Sequence, residues 1–266
     1  MTTPIPTSIK IRLRPRALIK SPVSPPASPP AAAPVPPPVK PKLRTEDTGK
    51  KFEMAICLAY EIPYKGKYAY DMAAPQTLSA RLTPLKALFP QCEHTASKGS
   101  RYDYTAVADS TKHLSAKTTK KGCGKVAPQV VGQAQPEKFC EVLGLTWESV
   151  PKLKETIQTM SVAPLLSGLA SYTFDCPTIY YNEDTSKIRF IAPKSDIDWS
   201  AYTYSWTQHW SSWKNSSTLK LKDAAGKEHA LVEFQFHTKS RTNMAVRWCY
   251  DTVLDLFADR FTIVSL

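Results

Sequence analysis

The segment SRYDYTAVADSTKHLSAKTT, residues 100–119, decides the fold of this chain. Two β-prone runs, residues 102–106 and 113–118, flank a cluster of turn residues at 109–112. This pattern predicts a β-hairpin. We place Asp103 in its first strand and Lys117 in its second, where the two side chains can meet at one edge of a sheet. We therefore expect an acid and a lysine to lie close together at this edge of the sheet.

A helix is predicted upstream of the hairpin, in the run KFEMAICLAY at residues 51–60. Phe52, Ile56 and Tyr60 repeat at helical spacing, so they form a stripe that should be buried. Glu53 lies one turn from Ile56 and therefore beside this stripe rather than on the outer face. Order is expected from near Thr45, because the acidic residues 46 and 47 complement the positive N-terminal end of a helix.

The remaining periodicities indicate an α/β fold. They predict helices over residues 76–89 with a break near Pro84, within 126–143 at least from Pro136, and over 149–159, 161–170 and 248–257. They predict strands over residues 177–181, 187–192 and 261–264. A second hairpin is expected from SSTLKLKD (216–223) and HALVEFQFH (229–237), with its turn at 224–227.

The first 45 residues form a basic, proline-rich arm that we expect to be disordered. Residues 21–42 are almost entirely Pro, Ala, Ser and Val, a composition that cannot bury a core and favours polyproline II. Residues 1–51 carry a net charge of +8, out of +12 for the whole chain. A mobile cation of this kind attracts polyanions without sequence preference, although a solvated linker or a localisation signal has the same composition. The globular domain is expected to span residues 46–266.

Composition also limits the class of protein. No run of about 18 apolar residues is present, so no membrane span is expected, and the basic N-terminus does not resemble a secretory signal. The six scattered cysteines suit reduced thiols in a soluble, intracellular protein. Cys92 and His94 resemble two zinc ligands, but nothing nearby supplies two more, so no zinc site is expected.

The first hairpin carries the chemistry that we consider most informative. A carboxylate at Asp103 can hold Mg²⁺ through its oxygens, and the metal can polarise a scissile phosphate and activate a water. Lys117 can orient that water or stabilise the developing charge. The alternatives are structural: Asp103 accepts hydrogen bonds from a turn, Lys117 is an exposed strand residue, and Glu53 pairs with Lys50 or Lys51.

Tyr102-Asp103 followed by Ser115-Ala116-Lys117 resembles the motif of the PD-(D/E)XK nuclease superfamily, the restriction-endonuclease-like fold. The core of that family is an acid, a hairpin and an acid-x-Lys unit. The helix with Glu53 is similar to one in which many members carry a further acid, and KVAPQVVGQ, residues 125–133, follows where the next element usually begins. The resemblance covers roughly residues 46–145 and implies a mixed β-sheet core flanked by helices.

This resemblance implies a metal-dependent endonuclease, of the type II restriction kind, that cuts double-stranded DNA at a short site. Asp103 and Glu53 would bind Mg²⁺ or another divalent metal, and Lys117 would assist the attacking water. It also implies a homodimer that cuts both strands and a partner DNA methyltransferase that protects the host genome. The basic arm resembles leaders on proteins of large DNA viruses, which suggests a viral source.

Ser115 departs from the family motif, which has Asp or Glu at this position. We keep Ser115 in the candidate site, but a hydroxyl there removes one metal-binding carboxylate, so Glu53 becomes more important. Glu53, Asp103 and Lys117 are therefore expected to converge in space. A second hypothesis is a non-catalytic DNA-binding or virion-associated protein that keeps the nuclease scaffold, since losing an acid is one way in which activity is lost.

The second hairpin belongs to a predicted DNA-recognition region, residues 195–250. Alternation along HALVEFQFH places Ala230, Val232, Phe234 and Phe236 on a core face and Leu231 with the polar residues on the other. The polar row suits hydrogen bonds to base edges, or is an ordinary solvated strand face. The predicted DNA-binding residues are Glu233, Gln235, His237, Arg241, Arg247, Lys120 and Lys121.

This region also offers a rival catalytic motif and an aromatic cluster. Glu233-Phe234-Gln235 matches the E-x-Q form that some family members use, but we rank it second because Asp223, the acid that precedes it, lies in the turn. Four tryptophans could stack on unpaired bases or pack a core, and we favour packing. They are Trp199, Trp206, Trp210 and Trp213.

Overall fold

The computed structural model describes residues 45–66, 72–96, 100–120, 124–237 and 243–266. The predicted arm lies outside the described residues except for Thr45, and so do Lys121 and Arg241. The first helix begins at Thr45, while the division of the chain into an arm and a nuclease-like domain stays a prediction.

Seven α-helices lie within the described ranges: α1 (Thr45–Tyr60), α2 (Ala73–Arg81), α3 (Leu85–Leu88), α4 (Pro136–Leu143), α5 (Val150–Thr159), α6 (Val162–Ala170) and α7 (Tyr250–Leu256). The ends of α4 and the start of α5 follow from local sequence signals. Pro136 suits the first turn of α4, and Gly144 ends that helix with a left-handed φ of 66° that favours glycine. The Ser149 side chain caps α5 by accepting the Lys152 backbone N–H.

The described strands are β1 (Cys92–His94), β2 (Tyr104–Ala106), β3 (His113–Thr119), β4 (Lys125–Val126), β5 (Thr178–Asn182), β6 (Lys187–Pro193), β7 (Thr203–Trp206), β8 (Ser216–Lys222), β9 (Glu228–Phe236), β10 (Met244–Cys249) and β11 (Phe261–Ser265). They form a six-stranded sheet of order β1-β2-β3-β5-β6-β11 and a five-stranded sheet of order β4-β10-β9-β8-β7. Within the first sheet, β3 pairs antiparallel with β2 and parallel with β5. The predicted α/β fold with a mixed sheet flanked by helices is confirmed.

Two hydrophobic cores hold these layers together. The first joins α1 to the sheet that carries the predicted hairpin, and includes Phe52, Ile56, Tyr60, Leu114 and Ile179. The stripe predicted on α1 is therefore buried as expected. The second core collects side chains from α4 to α7 and from both sheets, and Trp248 lies fully buried within it. Non-directional burial of this kind is the dominant favourable term in folding.

The first hairpin is confirmed, with Tyr104 opposite Leu114, but Asp103 precedes β2 rather than lying within it. The predicted start of the helix over residues 248–257 was wrong. Trp248 ends up in β10, opposite Val232, and α7 begins only at Tyr250. Residues 126–135 are not helical either, and helix begins at Pro136.

The alternation predicted along the second hairpin was wrong at Ala230 and Leu231. A register shift between Leu219 and Lys220 pairs Leu219 with Val232 and Lys220 with Ala230. Because Leu231 is thereby left unpaired in a β-bulge, the faces change over at this point. Leu231 is fully buried and Ala230 is exposed, the reverse of the expectation.

The tryptophan cluster packs mainly as predicted. Trp199 and Trp213 are buried, and Trp199 stacks on Trp248 with ring centroids 5.7 Å apart. Trp206 contacts Trp213 and Phe234. In the described part of the chain, no helix combines the length and the apolar character that a bilayer crossing requires.

Candidate active site

Asp103 is fixed at the mouth of the first hairpin. Its backbone carbonyl accepts the N–H groups of Thr95 and Ala96, at 2.9 and 3.1 Å. Its carboxylate Oδ2 accepts the backbone N–H of Ala116, at 2.7 Å, from the opposite strand. The Asp103 carboxylate therefore accepts a hydrogen bond from across the hairpin rather than from a turn. This bond holds it beside the Ser115-Ala116-Lys117 unit.

Glu53 reaches the same region from α1. Its backbone carbonyl accepts the hydroxyl of Tyr104, the residue after Asp103, at 2.8 Å. Its side chain is 24% exposed, and the carboxylate Oε2 lies 3.6 Å from Nε2 of His94. The predicted position beside the buried stripe is thus observed, and the carboxylate contacts His94 rather than Lys50 or Lys51.

Neighbouring charges and burial both change the pKa of Asp103. Burial raises the pKa of Asp103, while the Lys117 ammonium and the Ala116 N–H lower it. The Glu53 carboxylate raises it further, and the net result is a raised pKa. Because the charges of both Glu53 and Lys117 act on Asp103, the three predicted residues lie within electrostatic range of one another.

Ser115 is fully buried beneath this region. It shares a face of β3 with Lys117, because strand residues alternate. Its hydroxyl accepts the side-chain amide of Gln129, and it also bonds to the Cys176 thiol. Burial raises the pKa of Cys176 to about 11, so this thiol stays protonated at neutral pH. Ser115 therefore anchors a neutral polar cluster rather than presenting a charge.

The residues present fit a hard divalent cation. Burial raises the pKa of Asp103 and repulsion by the Glu53 carboxylate adds to it, so a cation bound by these carboxylates would offset both effects. The described residues contain no group of three or more His, Cys, Asp or Glu side chains arranged to hold a metal. Mg²⁺ commonly uses one or two carboxylates, with water and substrate phosphate completing its shell. Asp103 and Glu53 match that smaller set.

The second hairpin presents a connected polar row. Glu233 pairs with Lys125 at 2.8 Å and with Arg247 at 3.5 Å, and Arg247 also donates to Gln235 at 3.4 Å. His237 is half-buried, with its backbone N–H on the Asn243 carbonyl. These predicted DNA-binding residues therefore form part of one surface.

The same contacts weaken the rival E-x-Q motif. Glu233 is occupied by two cations, and Asp223 pairs with His229 at 2.8 Å within its own turn. Asp223 also accepts the backbone N–H groups of Ala225 and Lys227. Neither acid is placed like Asp103, whose carboxylate is buried and bonded to the backbone of the Ser115-Ala116-Lys117 strand.

The sequence did not assign two residues to the first site. His94, which was considered only as a zinc ligand, contacts Glu53, and Gln129 contacts Ser115. His94 and Gln129 are distant from their partners in the sequence. The three-residue strand that carries His94 is too short to show a period, so no local signal identifies it.

The chain is 37% identical over 226 residues to the type II restriction enzyme CviAII of Paramecium bursaria Chlorella virus 1. The match covers 84% of this chain, and the chain spans 64% of the length of that enzyme. No protein-family model matches the chain, and no solved structure matches it significantly. The predicted resemblance to type II restriction enzymes is confirmed: over most of its length, this chain is similar to one of them.

Proposed function

We propose that this chain is a metal-dependent endonuclease that hydrolyses phosphodiester bonds of double-stranded DNA at a short recognised site. The observation that supports this most is the position of Asp103, whose carboxylate accepts the N–H of Ala116, the residue before Lys117, at 2.7 Å and lies within electrostatic range of Glu53. Perturbed titratable groups cluster at functional sites. The similarity to a type II restriction enzyme supports the same reaction class, and the order of acid, hairpin and lysine supports the PD-(D/E)XK pattern.

Each residue has a role in this proposal. A divalent cation such as Mg²⁺, when bound, polarises the scissile phosphate and lowers the pKa of an attacking water. The carboxylates of Asp103 and Glu53 hold that cation, and the Ala116 N–H keeps Asp103 oriented. Lys117 donates hydrogen bonds to the water or to the phosphate oxygens as negative charge develops. Ser115 supports β3 through Gln129.

The proposal is tested by incubating the full chain with plasmid DNA, with and without Mg²⁺. We expect Mg²⁺-dependent cuts at one short sequence, and chelation by EDTA should stop them. The second candidate, a non-catalytic DNA-binding protein, is favoured by the buried Ser115 in place of an acid. Tight DNA binding without cleavage under Mg²⁺ or Mn²⁺ would select that candidate and exclude the nuclease.

The polar row on the second hairpin is proposed to read the DNA sequence. Arg247→Ala is expected to weaken binding to the cognate duplex by about 1–3 kcal/mol and to relax discrimination at one base position. Glu233 keeps its contact with Lys125 in this variant, so the surface stays paired. Fluorescence anisotropy with cognate and scrambled duplexes measures both effects. Lys220→Ala is the control, because Lys220 pairs with Glu228 near the turn, and equal losses in the two variants would contradict the assignment.

The basic arm is proposed to add nonspecific affinity without contributing to chemistry. Residues 1–44 hold eight Lys and Arg and no acidic residue. Deleting them should weaken nonspecific DNA binding and lower the slope of log K against log salt, by about 0.9 for each phosphate that the arm neutralises. Metal-dependent cleavage should persist at low salt. If cleavage disappears together with the arm, this division of roles is wrong.

The remaining expectations stay predictions. A homodimer would explain cutting of both strands, because each of its two active sites would cut one strand. Two-fold dimers are the commonest soluble homo-oligomers. A partner DNA methyltransferase would be needed wherever the recognised site occurs in the host genome. The chlorella-virus source of the similar enzyme supports a viral origin for this chain.

A further inference from the structure

His94 is a buried histidine that the proposed mechanism leaves without a role. It lies on β1 opposite Tyr104, and its side chain is 0% exposed. Its ring packs between Tyr64 and Tyr104, with centroid distances of 5.0 and 5.2 Å. Two aromatic rings therefore hold the imidazole in one orientation, facing α1.

The hydrogen-bond partners of His94 define its tautomer. The backbone N–H of Lys65 donates to Nδ1 at 3.0 Å, so Nδ1 is an acceptor and the proton of the neutral ring is on Nε2. Among the described residues, Nε2 is buried without a hydrogen-bond partner. Its nearest charged group is the Glu53 carboxylate, 3.6 Å away. A buried donor is thus aimed at one acid of the proposed metal site.

We propose that His94 is a positioning residue, whose Nε2–H holds the Glu53 carboxylate in the orientation that faces Asp103. This inference rests on the proposed function. The contact is about 0.6 Å longer than an ordinary hydrogen bond, so a small torsional change in Glu53 closes it. Without a fixed donor, the Glu53 side chain could rotate about its three torsions, and repulsion by Asp103 would then move its carboxylate away from the site.

Groups that hydrogen-bond to metal ligands are important because they orient those ligands. Such partners fix the ligand geometry before the metal arrives, and removing one commonly costs about 10- to 100-fold in metal affinity. A histidine that only filled the core would need no polar atom aimed at Glu53.

Two substitutions separate the two nitrogens of His94. In His94→Gln, the side-chain amide reaches about as far as Nε2 and can donate to Glu53, but it no longer accepts the Lys65 N–H. In His94→Asn, the shorter amide can accept the Lys65 N–H but cannot reach Glu53. Both variants replace a buried ring by a buried amide, so each is the control for the other in stability.

The test is a Mn²⁺ titration of the full-length chain, followed by the electron paramagnetic resonance signal of free Mn²⁺, for wild type, both His94 variants and Glu53→Gln. We expect the dissociation constant of His94→Asn to rise about tenfold or more and that of His94→Gln to stay within about threefold of wild type. The Mg²⁺ concentration for half-maximal cleavage should shift in the same order, whereas the rate at saturating Mg²⁺ should change less.

The outcomes are distinguishable from failure of the proposed function. If Glu53→Gln binds Mn²⁺ weakly but both His94 variants bind like wild type, the role of His94 is overturned and the metal site stands. Equal losses in His94→Asn and His94→Gln also overturn it, because they indicate a packing role alone. If Glu53→Gln binds Mn²⁺ as tightly as wild type, the metal site itself fails and the role of His94 fails with it.

Discussion

Asp103→Asn is expected to slow Mg²⁺-dependent plasmid cleavage by about a thousandfold or more, since it removes a charge that holds the metal where negative charge develops. Lys117→Met should cost about a hundredfold or more for the same electrostatic reason. Rates are measured under single-turnover conditions at saturating Mg²⁺. Asp109→Asn is the matched control, because Asp109 lies in the turn of the same hairpin and its side chain contacts Thr111 and Lys112 of that turn. Activity of Asp103→Asn within tenfold of wild type would contradict the assignment.

A stability measurement separates this loss from misfolding. The pKa of Asp103 is raised in the fold, chiefly by burial, so the folded chain holds this proton more tightly than the unfolded chain. The ionised form therefore lowers stability at pH values above the folded pKa, and this penalty disappears as the pH falls below the unfolded pKa. Without metal at neutral pH, Asp103→Asn should unfold at the same urea concentration as wild type or a higher one. Markedly lower stability would contradict this sign.

Asp251→Ala is expected to lower the free energy of unfolding by about 3 kcal/mol, because it leaves Arg189 largely buried without its counter-charge. Asp251 lies in the first turn of α7 and pairs with Arg189 of β6, and it also accepts hydrogen bonds from Tyr180 at 3.2 Å and Asn182 at 3.4 Å. The acid therefore ties α7 to two strands of the first sheet. Urea unfolding followed by tryptophan fluorescence measures the change.

The control for this variant is Asp259→Ala. Asp259 is 72% exposed, and its one ion pair with a described residue is with the neighbouring Arg260. Exposed ion pairs contribute about 0–1 kcal/mol. A loss in Asp251→Ala no larger than that of Asp259→Ala would show that the network does not stabilise the fold.

The sequence predicted those elements whose signals are local. The first hairpin has its turn residues between two β-prone runs, and the helix with Glu53 has a clear apolar stripe, so both were confirmed. β1 has three residues and β4 has two, which is too short for a period to be seen. β10 escaped detection because no turn residue separates its last residue, Cys249, from Tyr250, the first residue of α7.

The missing parts of the site have a common physical reason. His94 and Gln129 reach their partners only after the sheet and α1 have packed, since 41 residues separate His94 from Glu53 in the sequence. The faces of β9 depend on a bulge beside Leu231, and one unpaired residue reverses every side chain beyond it. Neither tertiary contacts nor bulges leave a periodic signal in the sequence.

The central claim is that Asp103 and Glu53 hold a divalent cation beside Lys117. The most direct measurement is the anomalous difference map of Mn²⁺ in crystals of the full chain. We expect a Mn²⁺ peak at about 2.0–2.2 Å from carboxylate oxygens of both Asp103 and Glu53, the distance at which small hard cations bind oxygen. A peak at Glu233, or none at Asp103 under conditions in which the chain cleaves DNA, would contradict it.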